Sequence, residues 1–262
     1  MRADERRRAR HGSIVTFVRV AEVPIAGEDD VVVPPAAGEV RIVGTPVTRA
    51  QAVARVAAVA AAVAGRPLSG FSLADLEALS LHERVTLRAL LEELRAAGLE
   101  LVSDAPFERL QNPRRGIEEV NIAGLTLGHL TFDQYPDVDT LTLFKRIAAL
   151  QSEVAVIGAF APLPRRVNPA APSTGYEDVK RIALARLVVD NVPSIQVDWA
   201  RYGPKLAQVA LTMGADDVDG VSAVDDLGEG RRRAPLEEIR RSIKAAGFEP
   251  AERDGRFDPL VS

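Results

Sequence analysis

Few side chains in this sequence can do nucleophilic or redox chemistry. There are three histidines and no cysteine, so the chain's own residues exclude disulfides, zinc–thiolate sites and a cysteine nucleophile. Acid–base and hydrogen-bonding chemistry remain. His129 follows Gly128 at the end of a β-like stretch; a histidine there can act as acid, base or donor to a ligand, and a satisfied structural histidine is the competing reading. His11 lies in the N-terminal segment and His82 on a surface-helix pattern.

Asp198 and Trp199 end another β-like run. As successive strand residues they face opposite ways, which offers a pocket an acid or an aromatic platform; Trp199 packed between strand and helix is the plainer reading. Asp216, Asp217 and Asp219 form an acidic cluster. Oxygen ligands suit hard cations, but the D-x-D-x-D-G spacing is absent and Gly214 with Asp216 reads equally as a helix stop and turn, so no metal is expected. Arg165-Arg166 and Arg231-Arg232-Arg233 could clamp a carboxylate or phosphate, though solvated loop charge is the more common case.

The elements that must position these residues alternate along the chain. Strand-like segments fall at Ser13–Val20, Glu39–Val43, Pro67–Phe71, Leu99–Val102, Glu119–Leu127, Val154–Phe160, Ser194–Trp199 and Asp217–Val221. Helical patterns lie between them at Thr48–Ala64, Leu81–Ala97, Asp137–Leu150, Tyr176–Val189 and Pro204–Met213, with a last one at Pro235–Ala246. Strands separated by helices pair in parallel through right-handed crossovers. Eight of them in 262 residues predict an α/β fold, a (βα)₈ TIM-type barrel of one domain spanning residues 1–262; no glycine-rich dinucleotide fingerprint supports an open doubly wound sheet. One interval departs from the rhythm: between Val20 and Glu39 no helix pattern is present, so the first βα unit is shortened. Active sites of such barrels lie at the C-terminal ends of the strands. That selects Gly44, Thr45, Ser72, Asp104, His129, Asp198, Trp199 and the Ser222 region, with His129 working alongside Asp104 or Asp198 as acid–base groups.

Net charge −4 and a pI near 5.6 argue against nucleic acid as a partner. The basic opening Arg2–Arg10 reads as an amphipathic helix. The Ala/Val tract Gln51–Ala64 is too short to span a bilayer and contains Arg55. No membrane contact is expected, and the cytoplasm is the expected compartment.

The most specific text begins at Gly175-Tyr176-Glu177-Asp178-Val179-Lys180-Arg181 and runs through Asp190-Asn191-Val192-Pro193-Ser194-Ile195-Gln196-Val197-Asp198-Trp199 and Gly214-Ala215-Asp216-Asp217-Val218-Asp219-Gly220 to Ala246-Gly247-Phe248-Glu249-Pro250. It resembles the radical-SAM enzymes of the futalosine route to menaquinone, aminofutalosine synthase and cyclic dehypoxanthine futalosine synthase, with the deazaflavin synthase subunits more distant. His11-Gly12-Ser13-Ile14-Val15, Glu39-Val40-Arg41-Ile42-Val43-Gly44 and Leu127-Gly128-His129 extend the resemblance over nearly the whole chain.

The resemblance implies a barrel holding a [4Fe–4S] cluster on a C-x₃-C-x₂-C loop after the first strand, with S-adenosylmethionine beside it. That loop corresponds to the cysteine-free interval Glu22–Ala37. The family's paired glycines after the second strand correspond to Gly44-Thr45-Pro46, and its glycine-rich turn with a glutamate to Ser103-Asp104-Ala105-Pro106-Phe107-Glu108. Cluster ligation needs thiolates or, rarely, histidines, so no iron–sulfur cluster is expected, no other cofactor is implied, and S-adenosylmethionine binding is left open. Gly44, Thr45, Glu108, Gly128, Trp199, Asp217, Asp219 and Gly220 are the ligand-binding positions so implied. A pseudoenzyme is expected: a cluster-less homologue binding a nucleoside-like or aromatic small molecule, or serving as accessory subunit to an active paralogue or as a homodimer. The alternative is non-radical acid–base chemistry at the barrel mouth.

Overall fold

The computed structural model describes residues 2–27, 31–166, 174–224 and 235–260. Eight parallel strands close into a barrel: β1 (Ile14–Pro24), β2 (Glu39–Val43), β3 (Leu68–Ser72), β4 (Leu101–Pro106), β5 (Thr126–Phe132), β6 (Ala159–Pro164), β7 (Ser194–Asp198) and β8 (Asp217–Ser222). The seam closes because β1 pairs with β8 on one edge and β2 on the other. β1 has 11 residues against 5 in β2, and the surplus is used by β9 (Glu249–Arg253). Residues Ile14 to Val18 of β1 pair with Glu249 to Arg253, while Val20 to Pro24 pair with Glu39 to Val43. Two strands thus share one edge of β1 end to end, and Arg253 is brought to the lower part of the barrel.

The helices are α1 (Arg2–His11), α2 (Arg49–Ala60), α3 (Leu73–His82), α4 (Leu87–Ala96), α5 (Pro113–Ile122), α6 (Thr140–Val154), α7 (Gly175–Val188), α8 (Trp199–Thr212) and α9 (Pro235–Ala245). The apolar core lies between strands and helices, where Val40, Ile42, Val102, Leu130, Phe160, Ile195, Val197 and Val218 are at most 1% exposed. The expected (βα)₈ architecture is the observed one, including the shortened first unit.

That first crossover dispenses with a helix because other groups cover the barrel there. Val31 and Val33 pack on the core. Arg55 from α2 donates to the carbonyls of Pro24 and Gly27, and Arg66 to those of Ala37 and Pro35. Among the described residues between β1 and β2 no helix is present, and two guanidinium groups pin the carbonyls at either end of that interval.

Several expected boundaries shift, each for a local reason. The helix expected over Leu81–Ala97 is two helices, because Arg84 takes a left-handed φ of 56° and Thr86 caps a new start by accepting from the Ala89 N–H. The strand expected over Glu119–Leu127 is helical as far as Ile122, with Asn112 as cap, Pro113 in the first turn and Gly124 (φ 78°) after the end; β5 starts only at Thr126. Of the strand expected over Val154–Phe160 only the end is observed: Val154 is the last residue of α6, which stops at the left-handed Ala155, residues 155–158 are irregular, and β6 starts at Ala159. Trp199 does not end a strand. Asp198 is the N-cap of α8, accepting from the Arg201 N–H, and Trp199 is the first helical residue.

Candidate functional site

A cavity of about 480 Å³ opens at the C-terminal ends of the strands. The side chains lining it come from β1 to β4, β7 and β8 and from the segments that follow the strands, including Asp133 after β5 and Arg165 after β6, and most carry charge: Glu22, Arg41, Asp104, Arg109, Arg165 and Asp198 are among them. The barrel interior below is polar as well, unlike the layers of branched apolar residues common in such barrels.

Two buried ion pairs form the lower tiers. Arg253, delivered by β9, donates to both oxygens of Asp217 at 2.7 and 2.6 Å, and Thr16 and Gln196 donate to the same carboxylate. Above it Arg41 of β2 grips Asp219 of β8 through two bonds of 2.9 and 3.0 Å and reaches Glu39 at 2.8 Å. Burial opposes ionisation of Asp219, but the doubly bonded Arg41 guanidinium outweighs it and holds the carboxyl well below the usual carboxylate range. Burial likewise opposes the charge on Arg41, and Asp219 and Glu39 more than restore it.

At the mouth, Arg165 pairs with Asp104 at 2.5 Å and Arg201 with Asp198 at 2.9 Å. Arg109 bridges Asp75 and Asp133 at 2.6 and 2.9 Å, and Thr45 donates to Asp75 at 2.8 Å. Ser72, Asp104 and His129 are register partners across β3, β4 and β5. His129 is 8% exposed. Burial lowers its pKa, with Arg41 and Arg165 adding to the effect against Asp219 and Asp104, which favours the neutral, proton-accepting ring.

The candidates from sequence separate into groups. Gly44, Thr45, Ser72, Asp104, Asp198 and Gly220 line the mouth cavity. His129 and Asp219 line a smaller recess that shares Arg165, Asp198 and Arg201 with it. Asp217 lies deeper, paired with Arg253. Gly128 is a packing position, since a Cβ there would lie 2.5 Å from the Ser103 carbonyl oxygen. Glu108 accepts from the Asp133 and Gln134 N–H groups at 2.7 and 2.8 Å, fixing the loop after β5. Trp199 packs against the core from α8. Arg231-Arg232-Arg233 lie outside the described residues.

The acidic cluster of the sequence is dispersed, one arginine to each carboxylate. Asp216 sits at the opposite end of the barrel with Arg186, Asp217 with Arg253, and Asp219 with Arg41. Sequence reasoning missed Arg41, Glu22, Asp75, Arg109, Asp133 and Gln196. Arg41 carried a signal, being a charge at a central position of a short strand; the loop residues carried none.

A thiolate-held cluster does not fit these residues: the chain has no cysteine, and among the described residues no group of three or more histidines and carboxylates could hold a metal ion. Gly44, where the resemblance places a glycine facing a ligand, has φ 107°, and a Cβ on it would lie 2.8 Å from Ile25 Cγ2. Its lack of a side chain is already used by the chain's own loop.

Comparison with known proteins agrees with this frame. Residues 163–261 match the family model described as the CofH/MqnC C-terminal region. The aminodeoxyfutalosine synthase of Thermus thermophilus is 28% identical over 225 residues, which cover 74% of this chain and 60% of that enzyme. That of Streptomyces coelicolor is 39% identical over 95 residues, 34% of this chain and 24% of the enzyme. The 5-amino-6-(D-ribitylamino)uracil–L-tyrosine 4-hydroxyphenyl transferase of Archaeoglobus fulgidus is 32% identical over 151 residues, 53% of this chain and 43% of the enzyme. The chain therefore spans 60% or less of the length of these relatives. Methylornithine synthase shares the fold with a TM-score of 0.63 at 12% identity, covering 95% of this chain and 87% of its own. HydG, a maturase of the [FeFe]-hydrogenase, does so with 0.62 at 11%, covering 95% and 67%.

The fold is a (βα)₈ barrel. Residues 163–261 are similar to the CofH/MqnC C-terminal region, and the chain is similar over a longer stretch to aminodeoxyfutalosine synthase.

Proposed function

We propose that this protein is a cluster-less homologue of the radical-SAM enzymes of the futalosine pathway that binds a small nucleoside-like molecule in the barrel mouth, alone or as the accessory subunit of a cysteine-bearing paralogue. The observation that carries the reading is the pairing of Gly44 with Ile25. The loop that would carry the cluster cysteines instead sends an apolar side chain onto the glycine that would face S-adenosylmethionine. Electron delivery to a sulfonium needs iron held by sulfur, and this chain offers no sulfur ligand of that kind.

The lining supports a polar occupant. Thr45, Ser103, Asp104 and Asp198 present hydroxyl and carboxylate groups suited to a sugar, while Phe71 is the one aromatic side chain among the lining residues described. A purely aromatic ligand has little to stack on. Calorimetric titration of the whole chain with S-adenosylmethionine, inosine and adenosine tests this directly. Binding of a nucleoside without binding of S-adenosylmethionine is the expected result; tight S-adenosylmethionine binding contradicts it.

The position of His129 favours a second reading, acid–base chemistry at the same mouth. Its ring is buried, its neutral form is favoured by that burial, and it is the register partner of Asp104, which suits a proton acceptor. Turnover lost in His129→Gln with melting temperature retained is the outcome this reading expects.

A further inference from the structure

Beneath the mouth, between β5 and β7, lies a recess of about 20 Å³ lined by His129, Gln196 and Asp219 and walled by Ala161 and Leu163. One water needs roughly 10–15 Å³ of such space and two to four polar partners. One polar atom at its centre, Gln196 Oε1, is buried without a hydrogen-bond partner. Gln196 is 2% exposed, and its amide nitrogen is committed to Asp217 at 2.8 Å. No hydrogen bond reaches the His129 ring among the described residues. The carboxylates and guanidinium groups around them are already paired with one another, Asp219 with Arg41 and Asp104 with Arg165. A buried acceptor without a partner is costly unless something bridges it to a neighbour, and the His129 ring beside it is the group available to share such a bridge.

We propose that His129 and Gln196 hold a single water molecule in this recess and that this water is a reactant, so that the site hydrolyses what the mouth binds. The proposal rests on the acid–base reading of the mouth. Arg165, Asp198 and Arg201 line both spaces, so the recess opens toward the occupant. In the step, the water oxygen bonds to an electrophilic carbon of the occupant as its proton passes to the ring nitrogen of His129. The electron pair of the broken bond stays with the leaving atom, which then receives that proton.

The test combines a crystal structure of the whole chain, at a resolution that places waters, with an assay on inosine and adenosine. The expected result is a water within hydrogen-bond distance of both a His129 ring nitrogen and Gln196 Oε1, absent from Gln196→Met. Release of free base should fall at least about a hundredfold in His129→Gln, with nucleoside affinity retained. A dry recess, or the imidazole donating directly to Gln196 Oε1, overturns the proposal. So does a nucleoside that binds and is returned intact by the wild-type protein. If neither nucleoside binds, the mouth reading fails instead, and occupancy of the recess still decides this one.

Discussion

Ile25 lies over the Cα of Gly44, its Cγ2 2.8 Å from where a Cβ would stand. Glycine is required there twice over, by that contact and by φ 107°. We predict that Gly44→Ala lowers stability by about 1–3 kcal/mol, measured by urea denaturation. Ile25→Ala in the same chain should recover part of that loss, because it removes the clash and leaves only the backbone strain. A Gly44→Ala protein of unchanged stability but lost nucleoside binding would assign the glycine to the ligand instead.

Asp219 and Arg41 should behave as a unit. Removing one partner of a buried pair leaves an uncompensated charge, at a cost of about 3–5 kcal/mol, so Asp219→Asn is expected to fall in that range. The pair also sets part of the acid limb. With the folded pKa of Asp219 held below its unfolded value near 3.9, its contribution is complete above about pH 5 and is lost as the pH falls. Denaturation curves from pH 3 to pH 7 should therefore be flatter for Asp219→Asn than for the wild type; equal slopes would show that the pairing contributes nothing.

His129 adds a second pH window. Burial lowers its folded pKa, so at pH values under the unfolded value near 6.5 the unfolded chain binds more protons than the folded one. Stability is full above that value and declines as the pH drops below it. His11 is lowered by burial too and adds in the same direction. His129→Gln should remove part of the slope between pH 5 and pH 7. A slope unchanged by the substitution would mean that the ring is charged or solvated in the folded protein.

The frame was largely legible from sequence because the period of the pattern changes at each element; β2 was placed at its observed bounds, Glu39–Val43. Failures came where a glycine or a left-handed residue decided the matter. Val120 and Ile122 alternate like strand residues but belong to a helix stopped by Gly124, and Arg84 divides what reads as one continuous helix. For the site, strand-end logic found Asp104, His129 and Asp198, and the resemblance supplied Asp219. It could not show that each acid already has its arginine, because Arg253 and Asp217 meet only through the way β9 lies along the lower half of β1. Pairing across a barrel is a property of closure and leaves no spacing in the chain.

Anaerobic reconstitution of the whole chain with iron and sulfide, followed by metal analysis and incubation with S-adenosylmethionine and a reductant, bears on the central claim most directly. We predict no stoichiometric iron and no 5′-deoxyadenosine. A brown protein with a full [4Fe–4S] complement that cleaves S-adenosylmethionine to 5′-deoxyadenosine would contradict the account.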